Sequence, residues 1–271
     1  MTEMTKNASQ GCNNPDAAKP CLVLLHGWGL NQAVWRGILP LLPADQPVIC
    51  LDLPGFGWRQ SWPNPYTLAA LAAELQAEIP AQSLVLGWSL GGLVAQQIAW
   101  QAPEKVKALA LVASSPCFVT QVDTSKNHRW PGMSAEVLAQ FASALVQDPA
   151  KTIERFLAIQ AMGSQSARQD IKSLKEAVMQ LPAPAAEALA GGLSILAQSD
   201  NRALLSELNC PVAACFGRLD SLVPVSVASE LTAILPKATI EIFPSASHAP
   251  FISHPTEFIA WLNAWIARSA T

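Results

Sequence analysis

The sequence predicts an α/β fold, in which a mostly parallel, doubly wound sheet forms the core and a helical cap is inserted. Six short β-like runs recur along the chain, and most are continuously apolar, which is typical of strands buried on both faces of a parallel sheet. Helical patterns separate these runs, as a doubly wound sheet requires. The alternation stops between about residues 114 and 205, where four consecutive helical stretches indicate the cap.

Each element has expected boundaries. Strands are predicted at 21–25, 47–51, 83–87, 108–113, 212–217 and 239–243. Core helices are predicted at 67–79, 90–101, 225–235 and 256–267, and cap helices at 134–147, 149–162, 165–180 and 184–198. We therefore expect a flexible N-terminal tail at 1–19, a core formed by 20–113 and 206–271, and a cap of four helices at 114–205.

The composition narrows the class of protein. With 271 residues, 51% of them hydrophobic and 14% charged, the chain is long enough to bury a sizeable core. A net charge of −3 gives no indication of nucleic-acid binding. The polar first twenty residues lack the apolar segment of a signal peptide, and no apolar run approaches the roughly 18 residues of a membrane span. We expect a cytoplasmic monomer.

The six cysteines are dispersed and contain no CxxC pair, so neither a zinc site nor a disulfide framework is expected. Cys21, Cys50 and Cys215 lie in strand-like runs and are interpreted as small core hydrophobes. No metal and no cofactor are expected.

The stretch GWSLG at 87–91 fits the pattern G-x-S-x-G, and it lies between a predicted strand and a predicted helix. In a sharp turn of this kind a Cβ at Gly87 or Gly91 would press on neighbouring backbone. The turn would raise the Ser89 hydroxyl above the sheet edge, beside the free N–H groups of the helix. The alternative is an ordinary loop serine, and the strand and helix around it favour a nucleophile.

A serine nucleophile needs a base on a loop at the same sheet edge. Of the four histidines, His248 follows the last strand and fits this role. His26 follows the first strand and is expected to brace its loop. His128 is expected to be solvated, and His254 to be a helix-start residue.

The base needs a carboxylate to orient it, and Asp220 follows the strand at 212–217 by three residues. The chain order Ser89, Asp220, His248 is that of the α/β-hydrolase fold. Two backbone N–H groups are expected to form the oxyanion hole: that of Leu90 at the helix start and that of Trp28 in the loop HGWG. The Trp28 side chain is a candidate for the pocket wall.

Several segments together resemble the pimeloyl-acyl-carrier-protein methyl ester carboxylesterases of biotin synthesis. They are LVLLHGWGLNQAVW, LDLPGFG, GWSLGGLVAQQIA, GRLDSLVP and SHAPFISHP in the core, and VASSPCF, ERFLAIQAMG, ARQDIKSLK and GGLSIL in the cap. The resemblance runs from about Cys21 to Ile266. It implies removal of the methyl group from pimeloyl-carrier-protein methyl ester, with an acyl-carrier protein as partner.

The chain departs from this family in two respects. The family begins with a strand-forming segment before HGWG, whereas residues 1–19 do not have a strand pattern. Lys151 and Lys172 also stand at cap positions where arginine is common in the family.

The cap carries a local excess of positive charge. Between Lys151 and Lys175 there are five basic residues and two acidic ones, whereas the rest of the chain has twelve and eighteen. Lys151 and Arg155, like Arg168 and Lys172, are spaced i, i+4 on one helix face. We interpret these four as a docking patch for an acidic carrier protein, and the alternative is a solvated helix face.

The adjacent apolar face of the cap is expected to contact the acyl chain. Its residues Phe156, Leu157, Ala158, Ile159 and Gln160 are candidates for the acyl channel, unless they only pack the cap onto the core. Trp88 and Phe141 are further candidates for its wall.

Other functions stay open at this point. One is a broad short-chain carboxylesterase or a capped aminopeptidase, and another is a non-catalytic binding protein that kept the fold. A dehalogenase would require Asp in place of Ser89, and the cap does not suit a cofactor-free oxidase.

Overall fold

The structure is a computed structural model that describes residues 19–125, 127–160 and 167–270. Its centre is a six-stranded sheet in which every pair is parallel. The strands are β1 (Leu22–Leu25), β2 (Val48–Leu51), β3 (Ser83–Trp88), β4 (Val106–Val112), β7 (Val212–Gly217) and β8 (Thr239–Phe243), in the spatial order β2-β1-β3-β4-β7-β8. All six predicted strands are confirmed, and so is the α/β fold class.

Helices follow most of the strands. They are α1 (Leu68–Leu75), α2 (Leu90–Gln101), α3 (Ala135–Gln147), α4 (Pro149–Gln160), α5 (Ala167–Val178), α6 (Ala186–Gln198), α7 (Arg202–Ser206), α8 (Val227–Ile234), α9 (Pro250–Ser253) and α10 (Pro255–Ala270). Short 3₁₀ helices cover Gln32–Gly37, Leu39–Leu41, Gln76–Glu78 and Pro103–Lys105.

The sheet has an apolar core on each face, which explains its continuously apolar strands. Along β1, Val23 and Leu25 face one core, whereas Leu22 and Leu24 face the other. Helices α1 and α2 cover the first face, and α10 covers the second. A strand covered on both sides has no solvent-facing positions, so its pattern does not alternate.

The segment between β4 and β7 contains α3 to α7 and an antiparallel ribbon of β5 (Gln121–Asp123) and β6 (His128–Trp130). Helices α3 to α6 lie where four helical stretches are predicted, and the assignment of this segment as a separate cap stays a prediction. The ribbon was not predicted, because strands of three residues are too short to show a periodic pattern.

Hydrogen bonds join this segment to the core. The Asn31 side-chain amide donates to the Val178 carbonyl at 2.9 Å, and the Arg36 guanidinium donates to Gln180 at 2.6 Å. The α5 end of the segment is therefore anchored on the 3₁₀ helix that follows β1.

The N-terminal tail predicted at 1–19 lies outside the described residues except for Lys19, which forms an ion pair with Asp45 at 2.7 Å. Within the described ranges, no helix is both long and apolar enough to cross a bilayer. Cys215 is buried and Cys50 half-buried, both with free thiols. Cys21 lies buried in the first core cluster, which confirms its interpretation as a core residue, but it is disulfide-bonded, contrary to the expectation that the cysteines form no disulfides. Spacing along the chain does not reveal which sulfur atoms the fold brings together.

Substitution of Gly91 by Ala should destabilise the fold. A Cβ there would lie 2.4 Å from the His26 carbonyl oxygen and 2.6 Å from that of Leu25, and backbone atoms cannot rotate away. We expect Gly91→Ala to lower the free energy of unfolding by about 1–3 kcal/mol in urea titrations. Gly37→Ala is the matched control, since nothing lies within 4 Å of its Cβ position. Equal stability of the two variants would contradict this account of the α2 packing.

Candidate active site

Ser89 occupies a strained turn between β3 and α2. Its backbone has φ 55° and ψ −119°, a left-handed φ that is costly for a residue with a Cβ. Two hydrogen bonds hold this conformation: the Ser89 N–H donates to the Val112 carbonyl at 3.0 Å, and the Ser114 hydroxyl donates to the Ser89 carbonyl at 2.8 Å. The turn therefore has a fixed geometry.

The glycines around Ser89 are required by space, as the sequence predicts. A Cβ at Gly87 would lie 2.3 Å from the Gly91 carbonyl oxygen, and a Cβ at Gly92 would lie 2.2 Å from the Ser114 hydroxyl oxygen. Because these positions carry no side chain, α2 starts directly against the end of the sheet.

His248 and Asp220 reach Ser89 from the loops after β8 and β7. The distance from His248 Nε2 to Ser89 Oγ is 2.9 Å, and that from His248 Nδ1 to Asp220 Oδ2 is 2.7 Å. All three residues are buried. With the Nδ1 proton donated to the carboxylate, Nε2 is left as the acceptor for the Ser89 hydroxyl. The structure thus brings the three predicted residues into one hydrogen-bonded chain.

The Asp220 carboxylate is held by its own loop. Its Oδ1 accepts hydrogen bonds from the backbone N–H groups of Leu222 at 2.8 Å and Val223 at 3.0 Å. These bonds leave Oδ2 directed at His248. Sequence reasoning did not identify these donors, because backbone groups carry no residue-type signal.

The two predicted oxyanion donors belong to different elements. Leu90 is the first residue of α2, so its N–H is among those without an acceptor inside the helix. Trp28 lies in the loop after β1 and is fully buried. Its indole N–H donates to the Leu189 carbonyl at 2.8 Å, and its ring meets that of Phe156 edge-on at 5.0 Å. The Trp28 side chain is therefore buried between α4 and α6, with which it makes one ring contact and one hydrogen bond.

His26 braces the loop that carries Trp28, which confirms the prediction for this residue. Its Nδ1–H donates to the Gly27 carbonyl at 2.8 Å, and its Nε2 accepts from the Leu53 N–H at 2.9 Å. Burial lowers the pKa of His26 and outweighs the opposing effect of Asp52, whose Oδ1 lies 3.7 Å from Nε2. The ring is therefore a neutral structural link.

The other two histidines lie apart from this chain of hydrogen bonds. His128, in β6, is exposed and faces Glu230 at 2.9 Å, so it is paired as well as solvated. His254 lies between α9 and α10, where its Nδ1 is 2.8 Å from the Ser253 hydroxyl oxygen.

The candidates for the acyl channel have different surroundings. Phe156 and Leu157 are buried, and the Phe156 ring meets that of Phe141 edge-on at 5.9 Å. Ala158 is exposed on the other side of α4, so it does not share their apolar face. The side chains of Ile159 and Gln160 lie outside the described part of the chain.

The placement of Trp88 in the channel wall stays a prediction. Its side chain is fully buried in the second core cluster, packed edge-on against Trp35 at 6.4 Å and Phe251 at 5.0 Å. Apolar character alone cannot distinguish a channel wall from the interior.

The residues of the predicted docking patch have unequal environments. Lys151 and Arg155 are exposed on α4, and the Arg155 guanidinium lies 6.0 Å from the centre of the Phe141 ring. Lys172 is exposed at 4.0 Å from the carboxylate of Glu176. The side chain of Arg168 lies outside the described residues.

Comparisons with known proteins agree with this geometry. The model of the α/β-hydrolase-fold family matches residues 20–255. The pimeloyl-[acyl-carrier protein] methyl ester esterase of Klebsiella pneumoniae subsp. pneumoniae is 48% identical over 237 residues, which cover 88% of this chain and 90% of that protein. The esterase of the same name from Edwardsiella ictaluri is 48% identical over 246 residues, covering 91% of this chain and 93% of its own.

Solved structures share the fold at lower identity. An esterase from Exiguobacterium antarcticum superposes with a TM-score of 0.80 at 18% identity, covering 92% of each chain. A bromoperoxidase from Bacillus anthracis superposes with a TM-score of 0.79 at 19% identity, also covering 92% of each. Different activities on one fold mean that these two likenesses concern the fold alone. By its family model and its 48% identical relatives, the chain belongs to the α/β hydrolases and, among them, to the family of pimeloyl-[acyl-carrier protein] methyl ester esterases.

Proposed function

We propose that this chain is a cytoplasmic serine esterase that hydrolyses the methyl ester of pimeloyl-acyl-carrier protein in biotin synthesis. The observation that carries the proposal is the hydrogen-bonded chain from Asp220 through His248 to Ser89, with separations of 2.7 and 2.9 Å. The names of the relatives support the choice of substrate.

In the first step Ser89 Oγ attacks the carbonyl carbon of the methyl ester while His248 Nε2 accepts the hydroxyl proton. The carbonyl electron pair moves onto oxygen and forms a tetrahedral oxyanion. When this intermediate collapses, the bond to the methoxy oxygen breaks and His248 returns the proton to that oxygen. Methanol leaves, and the pimeloyl group remains as an ester on Ser89.

In the second step a water molecule attacks the acyl-enzyme carbonyl carbon as His248 takes one of its protons. The new tetrahedral intermediate collapses by breaking the bond to Ser89 Oγ, which receives the proton from His248. The free carboxyl group of pimeloyl-acyl-carrier protein is released and ionises. Asp220 keeps the imidazole in one tautomer and stabilises its charged form in both steps.

The oxyanion is stabilised, in this proposal, by the backbone N–H groups of Leu90 and Trp28. The position of Leu90 at the start of α2 supports this role, because the N–H groups of a first helical turn point at a bound anion. The loss of one such donor typically costs about 2.7–4 kcal/mol of transition-state stabilisation.

The buried Phe156, whose ring meets that of Trp28 edge-on, supports an apolar acyl site beside Trp28, whereas Leu157 packs in the second core cluster. We assign the carrier-protein contact to Lys151, Arg155, Arg168 and Lys172, of which Lys151 and Arg155 are the best supported. Both are exposed one turn apart on α4, the helix that also carries Phe156. This arrangement puts a positive surface next to the apolar site.

A broad short-chain carboxylesterase is the second candidate, and the ion pairs of the cap favour it. Lys172 lies 4.0 Å from Glu176, and Lys175 forms an ion pair with Glu154. Basic groups that are already paired attract an acidic carrier protein less strongly.

Replacement of the proposed nucleophile tests the reaction itself. We expect Ser89→Ala to lower turnover of pimeloyl-carrier-protein methyl ester by at least about 10³-fold, because no acyl-enzyme can form. Its unfolding midpoint should stay unchanged, since both residues carry a Cβ at this positive φ. Ser83→Ala, at a buried serine at the opposite end of β3, is the matched control and should keep its activity. Normal turnover by Ser89→Ala would refute the assignment of the nucleophile. If the wild type hydrolyses free p-nitrophenyl esters as fast as the carrier-bound methyl ester, the broad short-chain carboxylesterase would be favoured instead.

Charge reversal on α4 tests the carrier contact. The double variant Lys151→Glu, Arg155→Glu should raise KM for the carrier-bound ester at least tenfold, because charged rim residues guide encounter and orientation. Its kcat/KM on a small free methyl ester should not change. Added salt should weaken carrier-bound turnover of the wild type in the same way, since exposed charges are screened over about 8 Å at physiological ionic strength.

Lys237→Glu, at an exposed lysine on the loop before β8, is the matched control for that experiment. It changes the net charge in the same direction, by half as much as the double variant, without altering α4. An equal rise in KM for both proteins would show a general charge effect. An unchanged KM in the double variant would mean that Lys151 and Arg155 only form a solvated helix face and do not contact the carrier protein.

Two neighbouring glycines of α6 allow a test of the Trp28 loop. A Cβ at Gly192 would lie 2.6 Å from Trp28 Cδ1, whereas a Cβ at Gly191 would lie 2.3 Å from Tyr66 Cδ1. Both alanine variants should therefore lose stability in thermal melts, but only in Gly192→Ala does the new Cβ press on Trp28 and, at 3.2 Å, on the Leu90 side chain, the two residues of the proposed oxyanion hole. We expect kcat on every ester to fall about 10-fold or more in Gly192→Ala and to change little in Gly191→Ala. Equal kcat in the two variants would argue against Trp28 as a donor.

A further inference from the structure

The residue before the nucleophile makes a contact that the reaction proposed above does not use. The Trp88 indole N–H donates to the backbone carbonyl of His248 at 2.8 Å, across 160 positions of the chain. We infer that Trp88 is a positioning residue, which fixes the proposed general base against the nucleophile by holding its main chain. This inference rests on the proposed roles of Ser89 and His248.

The contact closes a short loop of interactions around the reacting atoms. Trp88 is bonded covalently to Ser89, its indole holds the His248 carbonyl, and His248 Nε2 lies 2.9 Å from Ser89 Oγ. His248 is thus connected to the nucleophile twice, by its ring and by its backbone. The loop that carries His248 cannot move away from Ser89 while the indole bond is intact.

The environment of this hydrogen bond makes it effective. Trp88 and His248 are both fully buried, and their ring centres are 5.7 Å apart. A buried carbonyl without a donor costs free energy, so the loop strongly favours the position that keeps the bond. A second restraint acts on the same loop, because the Ser247 carbonyl oxygen packs where a Cβ of Gly217 would lie, 2.1 Å away.

Packing alone does not explain why the residue at this position is tryptophan. Trp35 belongs to the same cluster and packs against Trp88 and Phe251, at 6.4 and 4.5 Å. Among the described residues, however, no hydrogen-bond partner is found for the Trp35 indole N–H. Two adjacent indoles of equal burial therefore differ in one respect, namely whether the N–H group binds the backbone of His248.

This difference supplies a matched pair of variants. Trp88→Phe and Trp35→Phe each keep an aromatic ring and shrink the same cluster, but only Trp88→Phe releases the His248 carbonyl. For Trp88→Phe we expect kcat to fall about 10- to 100-fold with KM unchanged, because a displacement of about 1 Å at the reacting groups can cost about 10²-fold. The rate at which a fluorophosphonate probe labels Ser89 should fall by the same factor. Trp35→Phe should lose thermal stability while keeping kcat and the labelling rate.

A second variant covers the case in which Trp88→Phe does not fold. Replacement of Trp88 by 3-benzothienylalanine keeps the bicyclic shape and exchanges only the N–H group for sulfur, and it should reproduce the loss of kcat and of labelling. Wild-type labelling and kcat in that protein, or equal values in Trp88→Phe and Trp35→Phe after correction for the folded fraction, would overturn the inference. Failure of the wild type to label at Ser89 would instead overturn the proposed function on which it rests.

Discussion

The site depends on one steric constraint, the close approach of α2 to the carboxyl ends of β1 and β3. Gly91 packs against the His26 carbonyl and Gly87 against the Gly91 carbonyl, at distances that exclude any side chain. This approach forces Ser89 into its positive φ, which costs of the order of 1–3 kcal/mol and must be held by its surroundings. The bonds to Val112 and Ser114 supply that restraint from the next strand of the sheet and its loop. Strain and restraint together hold the hydroxyl within 2.9 Å of His248 Nε2.

The sheet order brings the remaining groups to this hydroxyl. In the parallel order β3-β4-β7-β8, the loops after all four strands leave from one edge, so Ser89, Ser114, Asp220 and His248 lie in neighbouring loops although 159 positions separate the first from the last. The loops after β7 and β8 have to extend toward β3, because neither strand is its neighbour in the sheet. Close packing at Gly217 and the indole bond of Trp88 hold these two loops against Ser89, at separations of 2.7 and 2.9 Å within the hydrogen-bonded chain.

The sequence predicts those parts of the fold and of the site for which a single physical property, such as burial or residue type, determines the pattern. The four inner strands β1, β3, β4 and β7 could be predicted because burial on both faces produces continuous apolar runs, whereas the edge strand β8 alternates exposed and half-buried residues. The order of Ser89, Asp220 and His248 follows from residue types after the predicted strands. The ribbon β5–β6 was missed because its strands are three residues long. The role of Trp88 was missed for a different reason: Trp35 and Trp88 are equally apolar in sequence, and only the fold shows that one indole faces a backbone carbonyl while its neighbour does not. Hydropathy reports burial and carries no information on which buried donor finds an acceptor.

The segment between β4 and β7 packs its interior against the Trp28 loop and carries positive charge on its outer surface. Trp28 is held by the Leu189 carbonyl of α6 and by the Phe156 ring of α4, so two of its helices fix the loop in which an oxyanion donor is proposed. The same helix α4 exposes Lys151 and Arg155 on its outer face. A partner that docks on α4 therefore acts on a helix whose Phe156 ring contacts Trp28, the residue proposed to donate its backbone N–H to the oxyanion. With the carrier contact and the oxyanion hole as proposed, carrier recognition is coupled to transition-state stabilisation through this helix, because α4 cannot shift without altering the packing of the Trp28 indole.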